Sequence, residues 1–183
     1  MKPINGIYPT QCVTFPRSGH IILQRVLKKY FGDKLNWTDV YKWPERGFAK
    51  NKECNLEKTH DFDLDVPIKP DRLYLVQIRN PFNALAGWKV MHLDEGVTKK
   101  DWRPWFRQKA RYWMQFTHKW LYSPVPNRLV VPYEKLTGNP VYAFSRIIVF
   151  MTKSEPDLAK LTVALGDEKL SPRESKPVPY DTI

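Results

Sequence analysis

The chain has 183 residues, 42% of them apolar and 14% aromatic, enough to bury a core and too apolar for a disordered segment. Its 30 Lys and Arg against 19 Asp and Glu give a net charge of +11, a field that favours nucleic acid, acidic lipid or a phosphate-rich nucleotide without choosing among them. Cys12 and Cys54, the two cysteines, have no CxxC spacing and so form neither a disulfide framework nor a zinc site. No apolar run approaches the ~18 residues of a membrane span, and Met1 to Tyr8 lacks the pattern of a secretory leader. The composition predicts one domain over residues 1–183 of a soluble, cytoplasmic protein with no membrane partner.

In chain order, Gln11 to Phe15 is a β-prone run that ends at Pro16, which cannot continue a central strand. From Ile21 to Phe31 the apolar residues Ile21, Ile22, Leu23, Val26, Leu27, Tyr30 and Phe31 recur at helical spacing, and Gly32 with Asp33 stops them. Asn36 to Glu57 lacks clean periodicity and is expected to be a mostly irregular connection, with a short strand near Leu56 to His60. Arg72 to Ile78 is apolar enough for a central buried strand. After it Pro81 opens a helix reaching Leu93. Asp101 to Tyr122 is expected to be a long aromatic helix with Asp101 at its N-cap. Leu129 to Tyr133 is a further strand, followed by helices near Pro140 to Met151 and Pro156 to Leu165. The tail from Ser171 is proline-rich and irregular. Strands alternating with helices predict an α/β fold, a three-layer α/β/α sandwich on a parallel sheet with right-handed crossovers.

The chemistry concentrates where the first strand meets the first helix. Thr14-Phe15-Pro16-Arg17-Ser18-Gly19 delivers the chain to a helix N-terminus, whose unpaired N–H groups and positive dipole end suit a phosphate. Arg17 adds a fixed charge and Ser18 a hydroxyl. The loop is not GxxxxGK[ST], and an isolated Pro-Arg-Ser-Gly is equally an ordinary turn before a helix.

This run, continued to Leu23 and Gln24, resembles the 5′-phosphosulfate loop of sulfotransferases that use 3′-phosphoadenosine 5′-phosphosulfate (PAPS). Leu73 to Leu85, a strand ending in Arg79-Asn80-Pro81, is similar to that family's second signature. Leu129 to Asn139 with Pro140 is similar to its strand-to-helix segment "YEDL…NP". The three occur in the family's order across roughly residues 11 to 151.

The resemblance implies a nucleotide-kinase-like fold, PAPS as donor, 3′-phosphoadenosine 5′-phosphate (PAP) as product, no metal, and a small-molecule or glycan acceptor bearing a hydroxyl or amine. It implies a donor cradle of Pro16, Arg17, Ser18, Gly19, His20 and Ile21, with Arg17 also at the sulfuryl group. It assigns Arg79 to the 3′-phosphate and Tyr133 to the neighbourhood of the adenine. Glu57-Lys58-Thr59-His60 resembles the segment carrying the catalytic base, making His60 the base and Lys58 a stabiliser of the transferring group.

Three positions depart from the family. His20-Ile21 replaces its hydroxyl pair, leaving His20 as a hydrogen-bond donor to the phosphosulfate or a second proton acceptor. Gly87 stands where a serine partner of the 3′-phosphate is expected. Arg173 and Lys176 lie near the C-terminus without an Arg-Lys-Gly motif. These leave open a PAP-binding module with weak catalysis. A nucleic-acid-binding protein is the third reading, with no recognised motif beside the charge and aromatics. His92 reads as a favourable charge at a helix C-terminus and His118 as a packing or surface residue.

Overall fold

A computed structural model describes residues 2–40 and 54–166. Five strands form one wholly parallel sheet: β1 (Thr10–Thr14), β2 (Trp37–Val40), β3 (Leu56–Thr59), β4 (Leu73–Ile78) and β5 (Arg128–Pro132). Their spatial order is β2-β3-β1-β4-β5. β1 therefore lies in the middle, Val13 in register with Thr59 on one side and Thr14 with Gln77 on the other.

The helices are α1 (His20–Phe31), α2 (Pro81–Asp94), α3 (Arg103–Thr117), α4 (Tyr133–Gly138), α5 (Pro140–Thr152) and α6 (Leu158–Gly166). They cover both faces of the sheet, giving the three-layer sandwich expected. α1 buries Leu23, Val26, Leu27, Tyr30 and Phe31, a stripe at i, i+3, i+4, i+7 and i+8. Each fully buried aliphatic side chain there contributes about 1.5–3 kcal/mol. Gly32, at φ 59°, ends the helix by donating its N–H to Lys28.

The two faces differ in composition. Leu75, Leu56 and Cys12 point toward α1, α5 and α6 into a largely aliphatic core. Val13, Tyr74 and Val76 point toward α2 and α3 into an aromatic one containing Phe15, Trp88, Trp105, Phe116 and Trp120. The aromatic residues of the long helix are thus mainly core, as their helical spacing favours.

Several expectations need correction. The stretch expected to be irregular from Asn36 contains β2, an edge strand whose four residues pair with β3; four residues are too few for alternation to stand out. The strand expected to reach Tyr133 ends at Pro132, and Tyr133 instead opens the short helix Tyr133–Gly138. The long aromatic helix begins at Arg103, with the Asp101 carboxylate accepting the Arg103 N–H. It leaves α geometry after Thr117, where His118–Tyr122 forms a π-helical turn. Residues 41–53 and the C-terminal positions Arg173 and Lys176 lie outside the described residues.

Candidate active site

The carboxyl ends of β1, β3, β4 and β5 carry Phe15, His60, Arg79 and Tyr133 to one edge of the sheet, the edge where ligands bind in such folds. The loop after β1 is pinned at both ends: Phe15 N–H donates to the Gln77 carbonyl and Ser18 N–H to the Phe15 carbonyl. Between them Arg17 has φ 64°, and Gly19, just beyond, has φ 87°. A β-carbon on Gly19 would lie 2.6 Å from the Tyr133 ring, so only glycine fits the left-handed turn that starts α1.

Arg79 and Tyr133 brace this turn. The Arg79 guanidinium donates to the Arg17 carbonyl at 3.2 Å and lies 4.2 Å from the Tyr133 ring centroid, a cation–π contact. Gly87, on α2, faces the Arg17 side chain, whose Nε is 3.6 Å from where a β-carbon would stand.

The helix starts differ in their capping. Asn80 caps α2 by accepting from Phe82 N–H and Asn83 N–H, and Asn139 caps α5 by accepting from Tyr142 N–H. α1 has no side-chain cap, so its first N–H groups are available to a ligand. Among the described residues, seven buried side-chain atoms lack a hydrogen-bond partner, and five belong to this edge: Ser18 Oγ, His20 Nδ1, both ends of the Gln77 carboxamide, and Arg79 Nε. Buried polar atoms are ordinarily paired, so their concentration here fits an anion with several acceptor oxygens.

His60 lies beside this edge and is buried. Its Nδ1 is 2.7 Å from the Thr14 carbonyl and 3.0 Å from the Thr14 hydroxyl. A carbonyl only accepts, so Nδ1 carries the proton and Nε2 the lone pair. Lys58 Nζ donates to that Nε2 at 3.0 Å. Burial, then the Lys58 charge, push the His60 pKa down to about 3. The same causes with Arg17 push His20 down to about 4. The two imidazoles meet edge to face at 5.2 Å. Lys58, buried, has its own pKa lowered by desolvation and pairs with Asp39 of β2 at 3.5 Å.

The residue after His60 anchors the loop. Asp61 accepts from Lys119 Nζ and Trp120 Nε1 through one oxygen, each at 2.8 Å, and from Val66 N–H through the other. The Tyr112 hydroxyl donates to the His60 carbonyl. Phe62, Trp88 and Tyr112 form an aromatic wall against His60, with Phe62 5.2 Å from its ring.

The structure thus brings together Pro16, Arg17, Ser18, Gly19, His20, Lys58, His60, Arg79, Gly87 and Tyr133 at one edge. Ile21 follows on α1 with its side chain half exposed. His92 lies at the end of α2, 3.8 Å from Glu95, and His118 is exposed. Sequence reasoning missed Asp39, Asp61 and Gln77. Only Gln77 had a local signal, an amide inside an otherwise apolar run.

Among solved structures, the chain is similar to a mouse sulfotransferase, SULT7A1 complexed with PAP, with TM-score 0.60 and 14% identity over 87% of this chain. It spans 63% of that protein's chain. A sulfotransferase from Alicyclobacillus acidocaldarius gives TM-score 0.54 and 13% identity over 92% of this chain and 97% of the other. No family model and no curated sequence matches it. The chain has the sulfotransferase fold.

Proposed function

We propose that this protein is a cytoplasmic PAPS-dependent sulfotransferase that transfers a sulfuryl group to a hydroxyl or amine. The observation that carries the reading is the cluster of unpaired buried polar atoms around an uncapped helix start, on this fold. The neighbour complexed with PAP supports the same choice of nucleotide.

Arg17, Ser18 and the amides of Gly19, His20 and Ile21 hold the 5′-phosphosulfate, with Pro16 shaping the entry to the turn. Arg79 takes the 3′-phosphate, and its contacts with the Arg17 carbonyl and Tyr133 link the two phosphate positions. Gly87 leaves the Arg17 side chain room to lie across α2. The neutral His20 donates a hydrogen bond where the family uses a hydroxyl.

In the transfer, the acceptor oxygen or nitrogen bonds to sulfur as the sulfur–oxygen bond to phosphate breaks. The electron pair leaves on the phosphate of PAP, and the acceptor's proton goes to His60 Nε2. Arg17 and Lys58 offset charge on the transferring and leaving oxygens. The Thr14 carbonyl fixes the tautomer that leaves Nε2 basic. Lys58 occupies that lone pair, and anionic oxygens in the cradle give its ammonium an alternative partner. The same negative charge raises the His60 pKa from its depressed value. Phe62, Trp88 and Tyr112 wall the acceptor's approach.

The Lys58–His60 contact also favours a second reading, in which the protein binds PAP and transfers poorly. Calorimetry with PAP, followed by transfer from labelled PAPS to a panel of phenols, amines and saccharides, tests both. Arg17→Ala is expected to weaken PAP binding about 10- to 100-fold. His60→Ala is expected to leave PAP binding intact and lower transfer about 10²- to 10⁴-fold. Wild-type binding with no transfer selects the second reading, and no PAP binding removes both.

A further inference from the structure

Gln77 is the one side chain of β4 whose chemistry its surroundings do not explain. It is fully buried in a strand whose other described residues are Leu73, Tyr74, Leu75, Val76 and Ile78. Neither the nitrogen nor the oxygen of its carboxamide has a hydrogen-bond partner among the described residues. An apolar side chain in this place would avoid the cost of burying an unpaired amide.

Its position points to a use. Gln77 is in register with Thr14, the last residue before the loop, and its carbonyl accepts the Phe15 N–H. Its carboxamide nitrogen lies 3.6 Å from the place a β-carbon on Gly19 would take. The amide therefore lies against the turn that opens α1, the turn that also carries the buried, unpaired Ser18 Oγ and His20 Nδ1. We propose that Gln77 is a ligand of the anion held by this loop, donating from its carboxamide N–H to a phosphate oxygen.

The inference rests on the reading of the loop as the donor's cradle. It adds a specificity: the floor of the cradle is uncharged, built from Gln77, Ser18 and neutral His20, while Arg17 and Arg79 supply the positive charge. A carboxamide can turn either end toward the loop, and an anion selects the donor end. A carboxylate in its place would repel the same oxygens.

The test measures melting temperature without ligand, and affinity for PAP and for inorganic pyrophosphate, in wild type, Gln77→Leu and Gln77→Glu. Gln77→Leu is expected to melt about 2–4 °C higher, because an unpaired amide is gone, and to bind PAP and pyrophosphate about tenfold more weakly. Gln77→Glu is expected to bind both more weakly still. Gln77→Met replaces Gln77→Leu if the branched side chain prevents folding. Unchanged affinity in the leucine or methionine variant overturns the proposal, as does a lowered melting temperature with unchanged affinity, which would make the amide structural. If wild type binds pyrophosphate and not PAP, the sulfotransferase reading falls and Gln77 is judged on pyrophosphate. If it binds neither, both fall.

Discussion

The loops after β1 and β3 leave neighbouring strands and bring His20 and His60 into ring contact, yet they treat their polar groups in opposite ways. In the loop after β3, Asp61 spends both carboxylate oxygens on protein donors, Lys119, Trp120 and the Val66 amide. In the loop after β1, Ser18 and His20 each leave a polar atom without a partner, and the helix it opens has no cap. Both hold non-glycine residues at positive φ, Arg17 in one and Asp61 and Leu64 in the other. Strain of that kind persists where surroundings enforce it. A saturated loop fixes a side chain's position; an unsaturated one keeps its hydrogen-bonding capacity for something that arrives.

Breaking the saturated loop should have the largest effect on stability. Asp61→Ala leaves the buried Trp120 indole and the Val66 N–H without their acceptor, and Lys119 with only the Leu64 and Val66 carbonyls; it is expected to cost about 2–4 kcal/mol. Thermal unfolding reads this as a melting temperature lower by about 10 °C. Asp61→Asn keeps an acceptor and should lose less. A loss within 1 °C would show that the network does not hold the loop.

Breaking the unsaturated loop should cost less in stability and more in binding. Gly19→Ala combines a left-handed φ of 87° with a β-carbon 2.6 Å from the Tyr133 ring. About 2 kcal/mol of destabilisation is expected. PAP affinity should fall as well, because Tyr133 also carries the Arg79 guanidinium. Unfolding and calorimetry on the same variant check the two parts.

Acid titration sharpens the comparison with the smallest change per step. Folded, His60 and His20 take protons only near pH 3 and 4, against an ordinary value of 6.5. The unfolded chain therefore binds more protons in the interval, and stability falls as pH drops from 6.5 toward 4. The slope is at most about 1.4 kcal/mol per pH unit for each histidine. PAP, by raising both pKa values, should make the slope shallower. Denaturant unfolding at a series of pH values, with and without PAP, measures it; a flat profile would mean that neither imidazole is held neutral.

What the sequence disclosed follows the range of each interaction. The three family-like segments are legible because their devices are local: a glycine at a left-handed turn, and Asn80 and Asn139 each one residue before a proline that opens a helix. β2 escaped because an edge strand of four residues has no room for a pattern, and Asp39 escaped with it. Asp61 has Asp63 and Asp65 beside it and nothing local to single it out, since Lys119 and Trp120 lie almost 60 positions away. Gln77 was hidden by the strength of its strand, whose apolar run stands out more than a single amide within it.

The π-helical turn at His118–Tyr122 gives one of these distant partners a fixed phase. Ser123 N–H bonds the His118 carbonyl five residues back, so the turn holds one residue more than an α-helical turn. Each residue of an α-helix rotates the chain by about 100°. Lys119 and Trp120 are adjacent in sequence, yet both reach the same oxygen of Asp61. Removing a residue ahead of the pair would rotate both of them by about 100° away from Asp61, whatever side chain was lost. The loop that carries His60 is therefore indexed by the count of residues at the far end of α3, and exposed side chains there can vary where the number cannot.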